Sequence, residues 1–148
     1  MFKCWGVLFV CLGTKAVSIW AAPTYSTKDF ILCYHKQTNI YGDPKVVISD
    51  HGSQLIAASE DLIDWKKIAH DTAPKGTTWQ FSPKGCPWRN DMAERCIGLA
   101  KKVLMQVVNK HQTLNFAELE GTFLKVAKIL NQRRLTARHY TEDNYVAY

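Results

Sequence analysis

Two acidic residues and one basic residue have a spacing that suits chemistry on phosphates. Asp50 follows the short apolar run KVVIS, and Glu94 and Lys101 lie in a long helical pattern that begins after Asn90. Lys101 projects almost directly below Glu94, because seven residues make nearly two helical turns. Carboxylates bind metal ions and an ammonium group can contact a phosphate. We therefore regard these three as candidate site residues.

The helix that carries Glu94 has a predicted apolar face and a predicted rim. We place Glu94 on the rim, in the first turn, beside a glycine, Gly98, that would let another backbone approach. The alternative is an ordinary surface glutamate on an amphipathic helix. The predicted apolar arc consists of Met92, Cys96, Leu99, Ala100, Val103 and Leu104, and its edge of Glu94, Gly98, Lys101 and Met105.

Asp50 has a different setting. The strand Lys45–Ser49 delivers it to the turn His51-Gly52, and Ser53 then opens a second helix. In open α/β sheets ligands bind at the carboxyl ends of strands, so this order favours metal or phosphate chemistry. The alternative is that Asp50 caps the following turn.

The other elements predict an α/β fold in one domain, 1–148. The strands 5–12 and 15–20 form a hairpin around Gly13-Thr14, Ser26 or Thr27 caps the next helix, and a fourth strand covers 77–81. A last helix runs from about Asn115 to Gln132. We treat about 1–112 as the core portion and 113–148 as a C-terminal helix and tail.

The positive charge is concentrated in one region. The net charge is +6, and residues 84–138 hold 11 basic and 4 acidic side chains, whereas 1–83 hold 8 and 7. A one-sided basic region favours a polyanion such as nucleic acid, although a solvated helical face remains open. The candidate phosphate contacts besides Lys101 are Lys84, Arg89, Arg95 and Lys102.

The N-terminal run and the cysteines bear on location. Lys3, the apolar run 5–12 and Ala21-Ala22 resemble a secretory signal, but Lys15 interrupts the run, which is also too short to span a membrane. Five cysteines without CxxC spacing predict neither a disulfide framework nor a zinc site. A reducing intracellular compartment fits best.

Five segments in order resemble one family. They are WGVLFVCLGTKAVSIW, STKDFIL, KVVISDHGSQL, WQFSPKGCPWRNDMAER and LNQRRLT. The family is the ribonuclease-H-like integrase core of BEL/Pao retrotransposons. The first segment is similar to that core's second and third strands, and the second segment to the start of its first helix. The third and fourth segments are similar to those that hold the second catalytic aspartate and lead to the catalytic glutamate, and the fifth is similar to the run after that glutamate.

The resemblance implies a mixed sheet with flanking helices and a DDE-type polynucleotidyl transferase acting in DNA integration. Asp50 and Glu94 would be catalytic residues and ligands of a two-metal site holding Mg²⁺ or Mn²⁺. Lys101 would contact the DNA backbone. The implied partners are retroelement ends and target DNA, a homo-oligomer is possible, no membrane is involved, and the compartment would be the nucleus or another intracellular one.

The chain departs from the family at three points. Asp91 stands where glycine is usual, and His51 where asparagine is usual. In the family, the first strand carries the first aspartate and lies between the second and fourth strands. This sequence has no counterpart of that strand, and no acidic residue precedes Asp29. We therefore expect an N-terminally truncated core with two strand edges lacking their partner, inactive alone, and whether the chain is an enzyme stays open. The alternatives are a non-catalytic basic module that binds nucleic acid or protein and a small secreted protein.

Overall fold

The computed structural model describes residues 3–50, 65–82, 91–108, 112–133 and 145–147. Within these ranges the chain forms one five-stranded mixed sheet and four α-helices, which confirms the α/β class. The strands are β1 (Trp5–Cys11), β2 (Val17–Ala22), β3 (Val46–Asp50), β4 (Thr78–Ser82) and β5 (Tyr145–Ala147). The helices are α1 (Thr27–Tyr41), α2 (Trp65–Thr72), α3 (Asp91–Val107) and α4 (Phe116–Asn131).

The predicted hairpin is confirmed. β1 and β2 pair in antiparallel register from Trp5 opposite Ala22 to Val10 opposite Val17. The turn closes at Lys15, whose φ of 65° lies in the left-handed region and whose N–H donates to the carbonyl of Cys11. The apolar run that resembled a signal peptide is therefore β1, and cleavage after Ala22 would remove both strands of the hairpin.

A strand that was not predicted from the sequence lies at the centre of the sheet. The strand order is β2-β1-β5-β3-β4, and β5 is antiparallel to β1 and parallel to β3. The expectation that the facing edges of β1 and β3 would lack a partner was wrong where β5 reaches them, at Val10–Cys11 of β1 and Val46–Ile48 of β3. The physical reason is that buried backbone N–H and C=O groups require partners, and the C-terminal segment supplies them.

Local signals set the helix starts. Ser26 has extended backbone angles (φ −118°, ψ 156°) and its side chain accepts a hydrogen bond from the N–H of Asp29, so it is the N-cap of α1 as predicted. Asn115 caps α4 in a complete capping box with Glu118. Of the helix predicted from Ser53, the part within the described residues is α2.

Helices pack on both faces of the sheet, because alternate residues of each strand point to opposite sides. One face packs against α1 and α2 and the other against α3 and α4. The core on the first face contains Phe9, Trp20, Ala22, Phe30, Cys33, Tyr34, Val47, Ile68 and Trp79. The core on the second contains Val10, Val17, Ile19, Ala21, Cys96, Phe123, Val126, Ala127 and Leu130.

Candidate functional site

Asp50 lies where the sequence predicted it, at the carboxyl end of a strand. It is the last residue of β3, and its backbone is in parallel register with Ser82 of β4. Ser49, just before it, is almost fully buried, so the strand remains in the core up to this point. The position of the Asp50 side chain and the turn His51-Gly52 lie outside the described residues. Whether Asp50 binds a metal or caps the turn therefore stays a prediction.

Glu94 lies in the first turn of α3, and most of the predicted apolar arc is confirmed: Cys96 is buried in the second core, and Met92, Ala100, Val103 and Leu104 pack against it. Glu94 itself is exposed. Two flanking positions differ, because Ala93 is fully buried and Leu99 is 41% exposed. The reason is that small residues, Ala93 and Cys96, let α3 lie close to β1 and α4, whereas apolar character alone does not determine which flank packs inward.

Gly98 does not receive another chain segment within the described residues. A Cβ added there would find no atom within 4 Å. The expected close approach of another backbone at this glycine was wrong for this part of the chain. Gly98 is an exposed helical glycine.

A metal site is not formed by the described side chains alone. Within the described ranges, no group of three or more His, Cys, Asp or Glu side chains is close enough to hold a metal ion. Carboxylate oxygens suit Mg²⁺, so the chemistry of Asp50 and Glu94 fits that ion. The pairing of these two carboxylates in space is a prediction.

The Asp29 carboxylate forms hydrogen bonds with Thr24. Its carboxylate oxygen Oδ2 accepts hydrogen bonds from the N–H of Thr24, at 2.9 Å, and from the Thr24 hydroxyl. These bonds hold the segment before α1, and Asp29 lies in the first turn of that helix, where its charge suits the helix dipole. Asp29 therefore cannot take the place of a first catalytic aspartate.

The basic residues of α3 fall into two groups. Lys101 and Lys102 are exposed, and neither forms an ion pair with a described residue. Arg95 is exposed as well, but its guanidinium makes a two-pronged contact with Asp91, with Nη2–Oδ2 at 2.6 Å and Nε–Oδ1 at 3.1 Å. The charge of Arg95 is thus largely neutralised within the helix. Lys84, Arg89 and Asn90 lie outside the described residues.

An aromatic pair at one end of the sheet was missed by the sequence analysis. Trp5 begins β1 and contacts Tyr25, with ring centroids 4.9 Å apart, and the Lys3 ammonium lies 4.8 Å from the Trp5 ring. β1 runs opposite to β3, so Trp5 lies at the same end of the sheet as Asp50. Lys3 and Trp5 are two residues apart, so they share one face of an extended segment, and that spacing could have indicated the pair.

The run LNQRRLT has a structural role in this fold. The Asn131 side chain accepts from the N–H of Val17 and donates to its carbonyl, both at 2.7 Å. Arg133 donates to the carbonyl of Lys15 at 2.8 Å, and its Nη2 lies 3.6 Å from the sulfur of Cys96. Arg133 therefore ties the end of α4 to the hairpin turn, a contact that its position near a helix end did not predict.

No helix in the part of the chain that the structure describes is long and apolar enough to cross a membrane. No known protein-family model matches the chain, and no curated protein matches it.

Proposed function

We propose that this chain is a ribonuclease-H-like core related to retrotransposon integrases, which binds DNA and does not catalyse strand transfer alone. Asp50 and Glu94 are the retained carboxylates of its metal site. Lys101 and Lys102 contact the phosphate backbone. The proposal includes a nuclear location, because the DNA that such a core acts on is there.

The observation that carries the proposal is the strand arrangement. In the family that the sequence resembles, the first strand lies between the second and the fourth. Here β1 and β3 correspond to the second and fourth strands, and β5 lies between them, antiparallel to one and parallel to the other. Helices cover both faces of this sheet, as the resemblance implies.

The expected loss of catalysis follows from the ligand count. A two-metal site needs a carboxylate that both ions share. The resemblance assigns two ligand groups to this chain, Asp50 and Glu94, and Asp29 is bound to Thr24. We therefore expect Mg²⁺ or Mn²⁺ to bind weakly at Asp50 and Glu94, without forming a competent pair of ions.

A second candidate function is a non-catalytic basic module that binds nucleic acid. It is favoured by the outward-facing lysines of α3 together with the Lys3, Trp5 and Tyr25 group. A cation over an aromatic ring and a second ring beside it form a surface on which an unpaired base can stack. Binding of Mn²⁺ at Asp50 and Glu94 separates the two functions, because a module of this kind needs no metal ion.

DNA binding is tested with a charge reversal, K101E/K102E, and a matched control, K28E/K75E, whose lysines are exposed on other elements. Fluorescence anisotropy with labelled DNA at several salt concentrations should show at least roughly tenfold weaker binding for the first variant, with a salt slope lowered by about 2. The control should bind like the wild type. Equal affinity and equal salt slope in all three proteins would contradict the proposal.

Catalysis is tested separately with the purified 148-residue chain. Strand transfer should be undetectable with Mg²⁺ or Mn²⁺, and D50N/E94Q should lower the affinity for Mn²⁺ measured by electron paramagnetic resonance. Metal-dependent strand transfer by the unmodified chain would show that the site is complete. Unchanged Mn²⁺ affinity in D50N/E94Q would show that these carboxylates are not metal ligands.

A further inference from the structure

The acidic side chains of α3 and α4 are mostly engaged within the fold. These two helices contain four acidic residues. Asp91 contacts the Arg95 guanidinium through both carboxylate oxygens, and Glu120 forms an ion pair with a lysine of α1. Glu118 accepts a hydrogen bond from a backbone N–H in the capping box of α4. Within the described ranges, Glu94 is the only one of the four without such a partner.

The lysines of the same two helices are exposed and uncompensated. Two lie on each helix, and none of them forms an ion pair with a residue that the structure describes: Lys101, Lys102, Lys125 and Lys128. Because three of the four acidic residues are engaged, four positive charges stand against the carboxylate of Glu94. The outer surface of these two helices is therefore positively charged.

Both pairs of lysines point away from the sheet. α3 and α4 pack against each other, and Cys96 of α3 and the buried residues of α4 lie in the second core. A helix turns by about 100° per residue, so Lys101 and Lys102 project from the side of α3 opposite Cys96. The same period places Lys125 and Lys128 on the side of α4 opposite its buried residues. The two pairs therefore share one face of the molecule.

The pairs also lie at similar heights along the two helices. Arg133, just after the end of α4, donates to the sulfur of Cys96 in the first half of α3, so the helices are antiparallel. Lys101 is five residues after Cys96 and Lys128 is five residues before Arg133. At about 1.5 Å per residue, both lie roughly 8 Å along the helices from this contact. We call the four lysines the lysine band: Lys101, Lys102, Lys125 and Lys128.

The lysine band fits the outside of a nucleic acid duplex. Two helices packed with their axes roughly 8–10 Å apart, each roughly 10–12 Å across, form a surface roughly 20 Å wide. The major groove of DNA is roughly 12 Å wide and admits a single helix. This surface therefore lies across the duplex backbone, where lysine ammonium groups bind phosphate oxygens and do not read bases.

We propose that the phosphate-binding surface of this chain extends from α3 onto α4, where Lys125 and Lys128 contact the backbone of duplex DNA. The inference rests on the proposed function, because it enlarges the interface formed by Lys101 and Lys102. Each lysine that neutralises a phosphate adds about 1 to the magnitude of the salt slope. The complete lysine band accordingly contributes about 4, of which α4 supplies about half.

The extension is tested with K125Q/K128Q, which removes two positive charges from α4 and adds no negative ones. Anisotropy titrations with labelled duplex DNA should show roughly tenfold weaker binding and a salt slope lowered by about 2. K28Q/K75Q makes the same charge change at exposed lysines of other elements and should bind like the wild type.

The outcomes separate this inference from the proposed function. If K125Q/K128Q binds like its control while K101E/K102E binds weakly, the extension to α4 is wrong and the proposed function stands. If both variants bind like the wild type, both proposals are wrong. An effect of K125Q/K128Q without an effect of K101E/K102E would show that the four lysines do not form one surface.

A measurement on the wild type keeps the test decisive if a variant folds poorly. Lysine acetylation mapped by mass spectrometry should be several times slower at Lys125 and Lys128 when duplex DNA is saturating, and unchanged at the two control lysines. Protection limited to the lysines of α3 would overturn the proposal. Cosedimentation with phosphatidylserine vesicles tests a different anionic partner. If K125Q/K128Q loses vesicle binding but keeps its DNA affinity, these lysines bind a membrane surface and the proposal is wrong.

Discussion

A Cβ atom added at Gly6 would lie 3.3 Å from the Cε2 and Cζ atoms of the Phe123 ring. Gly6 is on β1 and Phe123 is on α4, so the ring rests directly on the strand backbone. Both atoms belong to a 9% exposed side chain that packs in the second core. The missing side chain at position 6 is what brings α4 close to the sheet.

Replacing Gly6 by alanine should therefore lower the free energy of unfolding by about 1–3 kcal/mol, because the added methyl group overpacks this contact. Urea denaturation followed by circular dichroism measures the change. G13A is the matched control, since its Cβ would lie 3.9 Å from the Cys11 sulfur, an ordinary contact. In the double variant G6A/F123L, the loss in the free energy of unfolding should be smaller than the sum of the losses in G6A and F123L. Equal stability of G6A and G13A would contradict the expected clash.

Gly98 should behave in the opposite way. It lies inside α3 with open space around it, so G98A should raise the free energy of unfolding by about 0.5–1 kcal/mol through helix propensity. G121A is the control, because Gly121 lies inside α4 with similarly open surroundings and should give a similar gain. If DNA approaches α3 at Gly98, G98A alone weakens DNA binding in the anisotropy assay. A loss of stability in G98A would mean that another segment packs on this glycine.

Asn131 should be needed to hold the edge strand β2. In N131D the acceptor for the N–H of Val17 remains, but the donor to the Val17 carbonyl is replaced by a second acceptor. We expect a loss of about 1–3 kcal/mol in the free energy of unfolding. The control is Q132A, at an exposed neighbouring position. If N131D is as stable as Q132A, the amide contact does not contribute to stability.

Asp91 should weaken DNA binding by holding Arg95. In D91N the carboxylate that contacts the guanidinium is removed, so Arg95 becomes available to a phosphate. Anisotropy titrations should show tighter binding and a salt slope larger in magnitude by about 1. D43N removes one exposed negative charge elsewhere and is the control. An equal gain for both variants would indicate a general charge effect and no specific release of Arg95. Thermal unfolding should show a small loss for D91N, because Asp91 also lies in the first turn of α3.

Cys33 should make stability fall at high pH. Burial raises the pKa of its thiol to about 11, whereas the ordinary value is 9.0. The stabilisation is fully present below pH 9, and it is lost as the pH rises from 9 towards 11, because the unfolded chain releases the proton first. The slope contributed by Cys33 should not exceed about 1.4 kcal/mol per pH unit.

Urea denaturation between pH 8 and 11 compares the wild type with C33A, in which that slope should be absent. Burial also raises the pKa of Tyr34 above its ordinary value, against a smaller opposing effect of the nearby Thr77 side chain. Y34F is therefore the control for the part of the slope that persists in C33A above pH 10. Identical pH profiles for the wild type and C33A would show that the thiol does not titrate differently in the folded state.

The parts of the fold that could be predicted depend on neighbouring residues. The hairpin follows from two β-rich runs around a short turn, the start of α1 from a cap at Ser26 or Thr27, and α4 from a helical pattern that begins near Asn115. Asp50 was correctly placed at a strand end because an apolar run stops there. Each of these signals acts within a few residues along the chain.

The parts that could not be predicted depend on distant partners. Tyr145–Ala147 is too short to give a periodic pattern, and it is a strand because β1 and β3 lie on either side of it. Most of the predicted apolar arc of α3 was correct, but Ala93 was left out of it and Leu99, on the opposite flank, was included. Which flank is buried depends on the close approach of β1 and α4, and helical period carries no information about that.

The central position of β5 also has a consequence during protein synthesis. Val10 and Ala147, which pair in the sheet, are far apart in the sequence. These two residues are 137 positions apart, so at roughly 5–20 residues per second the ribosome needs roughly 7–27 s between them, and the edge of β1 that pairs with β5 lacks its partner for that time. A nascent chain that stalls just before Tyr145 has its hairpin and all four described helices, and it lacks the middle of its sheet. Quality-control factors that recognise open strand edges would find such a chain until β5 has been made.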